Sequence, residues 1–331
     1  MGRAAHRSEL SADINPRQRP VVVVVGPTAS GKSALALDIA QALGGTVINA
    51  DSMQVYRELR ILTARPSPAE EAAAPHRLYG VLPAAEACSA ARWRDMALAE
   101  IAEAHRAGRV PILTGDTGLY LRALSLGLSA IPEIPEAVRA KTRRRFAALG
   151  NIAFHAELSA RDAVMGARLK PGDRQRLMRA AEVLAATGRS LADWQRAPGV
   201  GAEARGLVCY TIALLPPRAT LRDRIDARFA SMLAAGAIEE VRALAALGLP
   251  TGLPVLKAHG VPELMRYLAG GVSLEDARRG ATSATRQYAK RQFTWLRHQI
   301  RKDYVLDQQF SGSLSPMIEN KIRQFLLTLS E

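Results

Sequence analysis

The sequence has only two cysteines among its 331 residues, Cys88 and Cys209. Two isolated cysteines exclude a disulfide framework and a cysteine-based metal site, so we predict a protein of a reducing compartment, the cytoplasm. No apolar run approaches the ~18 residues that a membrane-spanning helix needs. Residues 1–20 are polar and arginine-bearing without an apolar segment, which predicts a disordered basic tail over 1–19 and no signal peptide.

Acidic residues are also in short supply. The chain has 31 Asp and Glu against 45 Lys and Arg, which gives a formal net charge of +14 and a pI near 10.4. This excess favours a polyanionic partner. A generally arginine-rich surface would explain the same excess, but the basic residues are clustered. Clustering favours nucleic acid as the partner.

A phosphate-binding loop is the strongest motif in the chain. Val21 to Val25 have no polar face, which predicts a strand buried on both sides of a parallel sheet. The pattern Gly-x-x-x-x-Gly-Lys-Ser follows, and a helix-forming segment comes next, as this motif requires. The residues predicted to hold a diphosphate or triphosphate are Gly26, Pro27, Thr28, Ala29, Ser30, Gly31, Lys32 and Ser33. The Ser33 hydroxyl is also the candidate ligand for Mg²⁺.

Acidic and hydroxyl side chains follow two further predicted strands. Asp51 follows Thr46 to Ala50, and Asp116 and Thr117 follow Val110 to Thr114. Because ligands of open α/β sheets bind beyond the carboxyl ends of the strands, we expect these residues beside the phosphate loop. For Asp51 three roles stay open at this point: orienting Mg²⁺, acting as a base, or capping the next turn.

The order of predicted elements indicates an α/β fold, a P-loop NTPase-like parallel sheet flanked by helices, with a helical insertion domain. Residues 20–128 form the first part of the core, 129–205 the insertion, and 206–331 the second part with a basic helix. Strands are expected over 207–214 and 304–306, and a further one over 78–82. Basic residues are concentrated in the insertion. They are Arg139, Lys141, Arg143, Arg144, Arg145, Arg168, Lys170, Arg174, Arg176 and Arg179.

Residues 278–302 carry many Arg and Lys and no Asp or Glu. On a helix, the basic residues recurring every seven or four positions form one stripe, opposite Tyr288 and Trp295. They are Arg279, Arg286, Lys290, Arg297 and Arg301. Like charges at this spacing cost a helix stability, so the stripe predicts a bound polyanion, although a solvated face is the commoner explanation of a basic run.

Taken together, these motifs resemble the tRNA dimethylallyltransferases, also called tRNA isopentenyltransferases, of the bacterial type. The resemblance extends over most of residues 21–300. The matching stretches are Gly26–Ser33, Asn49–Tyr56, Thr63–Pro66, Pro75–Leu78, Gly115–Tyr120, Asp173–Arg179 and Thr285–Arg297.

The resemblance implies transfer of a dimethylallyl group from dimethylallyl diphosphate to N6 of the adenosine 3′ to the anticodon in tRNA, adenosine 37. It implies that Asp51 accepts the amine proton, that Thr117 lines the reaction channel, and that Lys32, Ser33 and Mg²⁺ hold the diphosphate. We expect a monomer. The implied tRNA contacts are Asp51, Ser52, Met53, Gln54, Thr117, Arg139, Gln175, Arg176, Leu177, Met178, Arg179, Arg286, Gln287, Lys290, Arg291 and Arg297.

The chain departs from the family pattern at Asp116, where a second glycine is usual. This residue places a negative charge near an anionic ligand unless Mg²⁺ or an arginine offsets it. Two other functions remain open: a P-loop small-molecule or nucleotide kinase, with Asp116 as its Walker-B-like aspartate, and a non-catalytic RNA-binding ATPase switch. Neither function needs the Asn49 to Gln54 segment. A kinase also does not need a basic helix that lacks Asp and Glu.

Overall fold

The computed structural model describes residues 18–197 and 199–329. Its strands are β1 (Arg19–Val25), β2 (Thr46–Asn49), β3 (His76–Arg77), β4 (Pro111–Gly115), β5 (Leu207–Leu214) and β6 (Tyr304–Leu306). They form one sheet in the order β3-β2-β4-β1-β5-β6. Every pair of neighbours is parallel. The predicted α/β fold class is therefore confirmed.

Helices connect these strands. In the first compact unit they are α1 (Lys32–Leu43), α2 (Pro68–Ala73), α3 (Ala90–Arg106) and α4 (Gly118–Ser125). The second compact unit contains α5 (Glu136–Arg161), α6 (Ala163–Arg168), α7 (Arg174–Thr187) and α8 (Leu191–Trp194). The first unit then resumes with α9 (Arg218–Ala234), α10 (Ala237–Ala246), α11 (Val261–Leu268), α12 (Leu274–His298) and α13 (Ser315–Thr328). Short 3₁₀ turns lie at Glu203–Arg205, Pro254–Lys257 and Gly312–Leu314.

The valine run of β1 fills both faces of the sheet, as its lack of a polar face predicts. Val21, Val23 and Val25 pack into a core with Ile48 and Leu113. The alternate residues Val22 and Val24 pack on the opposite face against α1 and α13. Because successive strand residues point to opposite faces, one apolar run serves two cores. Burial of β1 on both faces fixes the position of its carboxyl end, where the phosphate loop begins.

The described residues divide into one unit, 18–125 and 202–329, and a second unit within 126–201. The second unit has its own core, built around Phe146, Phe154, Leu158, Leu177 and Val183. Its bounds lie three or four residues before those predicted for the helical insertion, 129–205. Most of the predicted tail, residues 1–17, lies outside the described residues, but its last residue, Arg19, begins β1.

One predicted strand is wrong. Residues 78–82 form a turn after the two-residue strand β3, and Leu82 makes only an isolated bridge to Tyr56. The reason is backbone conformation, since Leu78 and Gly80 both have positive φ, 64° and 60°. Among the described residues, no helix combines the length and the apolar character needed to cross a bilayer.

Candidate active site

The loop between β1 and α1 has the conformation of an anion-binding turn. Gly31 caps α1 with a φ of 94°, and Ala29 also lies in the left-handed region, at 67°. A Cβ on Gly26 would stand 2.4 Å from Ser30 Oγ and 2.9 Å from the Leu214 carbonyl oxygen, so only glycine fits there. Backbone N–H groups converging at a helix N-terminus bind phosphate oxygens. The geometry supports the phosphate-binding role predicted for this loop.

Lys32, the first residue of α1, forms a buried ion pair with Asp116. Its Nζ lies 2.7 Å from Asp116 Oδ2, and the two side chains are 10% and 4% exposed. Asp116 follows the end of β4, the strand that pairs with β1, so the fold brings the two residues together. The negative charge expected to disturb an anionic ligand is thus offset by the lysine of the phosphate loop itself.

Asp51 follows β2 in a short turn that its own side chains stabilise. The Asn49 side chain accepts a hydrogen bond from the Asp51 N–H (2.8 Å), and Asp51 Oδ1 accepts one from the Met53 N–H (2.7 Å). Burial raises the pKa of Asp51 to about 7, and the Asp116 charge adds to the rise, while Lys32 and the N–H groups of Met53 and Gln54 oppose it. A carboxyl with this pKa can accept a proton near neutral pH.

Thr117 joins the ends of β2 and β4. Its Oγ1 accepts a hydrogen bond from the Ser52 N–H (2.9 Å), and its own N–H donates to the Ala50 carbonyl oxygen (3.3 Å). A Cβ on Gly115 would stand 2.2 Å from the Ala50 carbonyl carbon, so glycine permits this close approach. Asp51, Thr117 and Lys32 therefore meet at one edge of the sheet, as the sequence predicts.

Two arginines of α9 also reach the phosphate loop, and sequence reasoning missed both. Arg228 Nη2 donates to Thr28 Oγ1 (3.0 Å), and Arg224 Nε donates to the Ala29 carbonyl oxygen (3.1 Å). Burial lowers the pKa of Arg228, while the charges of Asp116 and Asp51 act in the opposite direction. The available signal was the spacing of four between two arginines, which places them on one face of the helix after β5.

Gln292 and Tyr288 of α12 were also missed as parts of this site. Gln292 is 5% exposed, and its Oε1 accepts a hydrogen bond from the Thr28 N–H at 3.0 Å. The hydroxyl oxygen of Tyr288 lies 3.5 Å from Asp116 Oδ1, and its ring contacts the His259 ring at 4.7 Å. The signal for Gln292 was a polar residue on the otherwise apolar face that Ala289, Phe293 and Leu296 form.

The oxygen groups at this edge suit Mg²⁺. Ser33 is exposed on the first turn of α1, and the carboxylates of Asp51 and Asp116 end the adjacent strands. Within residues 18–197 and 199–329, no three His, Cys, Asp or Glu side chains cluster as a metal site. Mg²⁺ typically combines one or two protein oxygens with substrate phosphates and water, so the residues present fit a metal that arrives with a diphosphate.

The basic stripe is shorter and better paired than the sequence predicts. Helix α12 ends at His298, so Arg301 lies beyond it and pairs with Asp303. Arg279 pairs with Asp276 and Arg286 with Asp226, so these two charges are compensated. Three other basic residues of α12 are exposed and form no ion pair among the described residues, and these are Lys290, Arg291 and Arg297.

Two predicted tRNA contacts have buried side chains. Leu177 is completely buried in the core of the second unit, so the prediction of a side-chain contact with tRNA is wrong there. Gln54 is 9% exposed and donates from Nε2 to the carbonyl oxygens of Thr63 (2.8 Å) and Ala64 (3.2 Å). A contact of Gln54 with tRNA would require this side chain to leave its partners.

The other residues of the second unit predicted to bind tRNA lie on its surface. Gln175 and Arg176 are exposed, while Arg139, Met178 and Arg179 are half-buried. Arg176 pairs with Asp173 (3.0 Å), and Arg179 lies 3.9 Å from Glu182. The exposed Arg176 pair contributes little to stability and leaves its guanidinium group free to bind phosphate. Their contact with tRNA stays a prediction.

Comparison with known proteins decides the family. The family model described as IPP transferase matches residues 54–299, and a second, described as Isopentenyl transferase, matches residues 19–86. The chain belongs to the IPP transferase family. The predicted family is confirmed, and the IPP transferase match covers strands β3, β4 and β5, the whole second unit and helix α12.

Similar IPP transferases share nearly the whole chain. The tRNA dimethylallyltransferase of Rhodospirillum centenum is 61% identical over 86% of this chain and 90% of its own length. That of Paramagnetospirillum magneticum is 55% identical over 93% and 98%. A solved tRNA isopentenylpyrophosphate transferase from Bacillus halodurans has a TM-score of 0.66 at 31% identity, covering 95% of this chain and 98% of that one.

Proposed function

We propose that this protein transfers a dimethylallyl group from dimethylallyl diphosphate to N6 of adenosine 37 in tRNA and releases diphosphate. The names of its relatives support a tRNA dimethylallyltransferase. The observation that carries the proposal is the placement of Asp51: a carboxyl with a pKa of about 7 lies beside the lysine of a phosphate loop. A phosphate site and a base at one sheet edge suit attack by a neutral amine on an allylic diphosphate.

The donor end of the site stabilises the leaving diphosphate. The backbone N–H groups of the loop, Lys32 and Arg228 provide positive charge and donors where negative charge develops as the allylic C–O bond breaks. Electrostatic stabilisation of this kind, already oriented before reaction, is usually the largest contribution to catalysis. Mg²⁺, held through Ser33 and the donor phosphates, would neutralise part of the same charge.

The acceptor end supplies a base. The exocyclic amine of adenine is a weak nucleophile, and its attack on the allylic carbon leaves a cationic nitrogen. Asp51 stabilises this cation and takes its proton, so the new N–C bond forms, the C–O bond to diphosphate breaks, and the proton ends on the carboxylate. Thr117 and Ser52 form the hydrogen-bonded wall beside Asp51. The target base must leave the anticodon stack to reach this group.

Exposed basic residues would hold the tRNA. Lys290, Arg291 and Arg297 lie on α12, the helix whose Gln292 contacts the phosphate loop. Phosphate contacts supply affinity and position, while bases of single-stranded loops supply specificity. We infer that α12 orders the loop with its buried face and binds the tRNA backbone with its exposed face.

Mass spectrometry of tRNA nucleosides tests the function. Unmodified tRNA is incubated with protein, Mg²⁺ and dimethylallyl diphosphate, and dimethylallylated adenosine is expected among the nucleosides. The same protein with ATP and no prenyl donor is the control. ATP hydrolysis or phosphorylation in the control, together with no prenylated adenosine in the reaction that contains the donor, would favour a P-loop kinase instead.

A further inference from the structure

Two carboxyl groups offset much of the positive charge around the phosphate loop before any ligand binds. The positive groups are Lys32, Arg224 and Arg228, and the negative groups are Asp116 and Asp51. Asp116 is 7% exposed, so its charge is poorly screened by solvent. A site without Asp116 would carry a larger net positive charge and would attract a diphosphate without a metal ion.

Asp116 forms an ion pair with Lys32, the residue expected to bind the diphosphate. Lys32 Nζ lies 2.7 Å from Asp116 Oδ2, and the loop lysine is the residue that reaches phosphate oxygens in this motif. A bound diphosphate must therefore share Lys32 with a carboxylate or take it away. Either outcome leaves the Asp116 carboxylate close to a multiply charged anion, which is repulsive in a half-buried site.

Among the described residues, Asp116 forms an ion pair only with Lys32, since the guanidinium group of the nearby Arg228 donates to Thr28. Asp116 also contacts Tyr288, whose hydroxyl oxygen lies 3.5 Å from Asp116 Oδ1 and carries no charge at neutral pH. A divalent cation bound with the diphosphate would restore the balance, because carboxylate and phosphate oxygens are the ligands that Mg²⁺ prefers.

We propose that Asp116 makes the binding of the donor diphosphate dependent on a divalent cation. The carboxylate weakens binding of the metal-free diphosphate and leaves binding of the Mg²⁺ complex strong. The inference rests on the proposed function, in which the phosphate loop holds the diphosphate of the prenyl donor. It assigns a role to a residue that replaces the glycine usual in the family pattern.

Calorimetric titration with inorganic diphosphate tests the proposal on the full chain. The dissociation constant is measured with Mg²⁺ and with EDTA for the wild type, Asp116→Asn and Asp116→Gly. Complexation of diphosphate by Mg²⁺ in solution is the same in each case. The ratio of the Mg²⁺ effect on the wild type to the Mg²⁺ effect on a variant therefore isolates the contribution of Asp116. We expect Mg²⁺ to strengthen binding to the wild type by roughly tenfold more than to Asp116→Asn, as for one unit charge near an anion.

Asp38→Asn is the matched control. It also removes one negative charge, from α1, and asparagine can still accept the hydrogen bond that Asp38 Oδ2 receives from the Ser315 hydroxyl. This variant is expected to keep the wild-type Mg²⁺ effect. Melting temperatures show whether each variant is folded, and Asp116→Asn keeps an oxygen acceptor for Lys32 where Asp116→Gly does not.

The outcomes separate the inference from the function on which it rests. Tight binding by all proteins, with Mg²⁺ effects equal within about threefold, would overturn the role of Asp116 and leave the proposed function standing. Weaker binding by Asp116→Asn with and without Mg²⁺ alike would reduce Asp116 to a support for Lys32 and would also overturn the inference. No binding of diphosphate by the wild type would overturn both proposals.

Discussion

Gln292 Oε1 accepts a hydrogen bond from the backbone N–H of Thr28 at 3.0 Å, although 264 residues separate them in the chain. The bond links the middle of the basic helix to the phosphate loop. Both groups are buried, so neither can exchange this partner for water without cost. Ordering of the helix by tRNA and ordering of the loop by the donor are therefore expected to be coupled.

Gln292→Ala should weaken this link. Loss of one hydrogen bond typically lowers the free energy of unfolding by about 1 kcal/mol. Leaving the buried Thr28 N–H unpaired raises this cost to about 1–3 kcal/mol. We expect the KM for the prenyl diphosphate to rise and the increase in donor affinity caused by tRNA to shrink. Donor titrations with and without tRNA measure both.

Gln287→Ala is the matched control for that variant, since Gln287 is an exposed glutamine of the same helix. It should leave donor affinity unchanged. If both glutamine variants behave alike toward the donor, the hydrogen bond to Thr28 does not order the loop.

Asp51→Asn should lower the single-turnover transfer rate by about 10² to 10⁴-fold, the usual contribution of a positioned acid or base. Size and the hydrogen bond to the Met53 N–H are kept, so donor and tRNA affinities should change far less. An Asp51 that served mainly to orient Mg²⁺ would instead weaken diphosphate binding, and one that only capped its turn would lower the melting temperature.

The pH dependence of transfer gives a second test of Asp51. A base must be deprotonated to work, and burial with the neighbouring Asp116 raises the pKa of Asp51 to about 7. The single-turnover rate should therefore rise with pH up to about 7 and level off above it. The limb that rises with pH should be absent from the residual rate of Asp51→Asn, and its persistence would assign the titration to another group.

Lys32→Ala should abolish stabilisation by the donor. A ligand that binds only the native state at 100 times its Kd stabilises it by about 2.7 kcal/mol, which appears as a higher melting temperature. The variant also leaves Asp116 buried without its cation, so its own melting temperature should fall. Lys290→Ala removes one exposed charge from α12 and should retain the donor-induced shift.

Lys290→Ala should in turn weaken tRNA binding. Loss of one phosphate contact is expected to reduce the slope of log K against log salt by about 0.7 to 0.9, and all substrate tRNAs should be affected alike. Arg279→Ala is the control, because Arg279 is paired with Asp276 in the structure and should change the slope less. Equal slopes in the wild type and Lys290→Ala would make this part of the helix a solvated surface.

The sequence by itself determined the sheet core, the phosphate loop and the residues that follow the strands. Local patterns suffice there: the valine run is buried on both faces, the glycine-bracketed loop must precede a helix, and parallel strands end at one edge. Asp51 and Thr117 could therefore be assigned to the site without coordinates. The strand predicted over 78–82 was wrong because Leu78 has a positive φ, and helix α12 ends before Arg301.

Only the tertiary structure decided which distant side chains complete the site. Arg228 and Gln292 reach Thr28 because α9 and α12 pack beside the loop, and no local pattern encodes that packing. The pairing of Lys32 with Asp116 likewise depends on the adjacency of β1 and β4. Contacts across 84 to 264 residues form because burial of apolar faces brings these elements together, and the polar groups carried with them must then find partners.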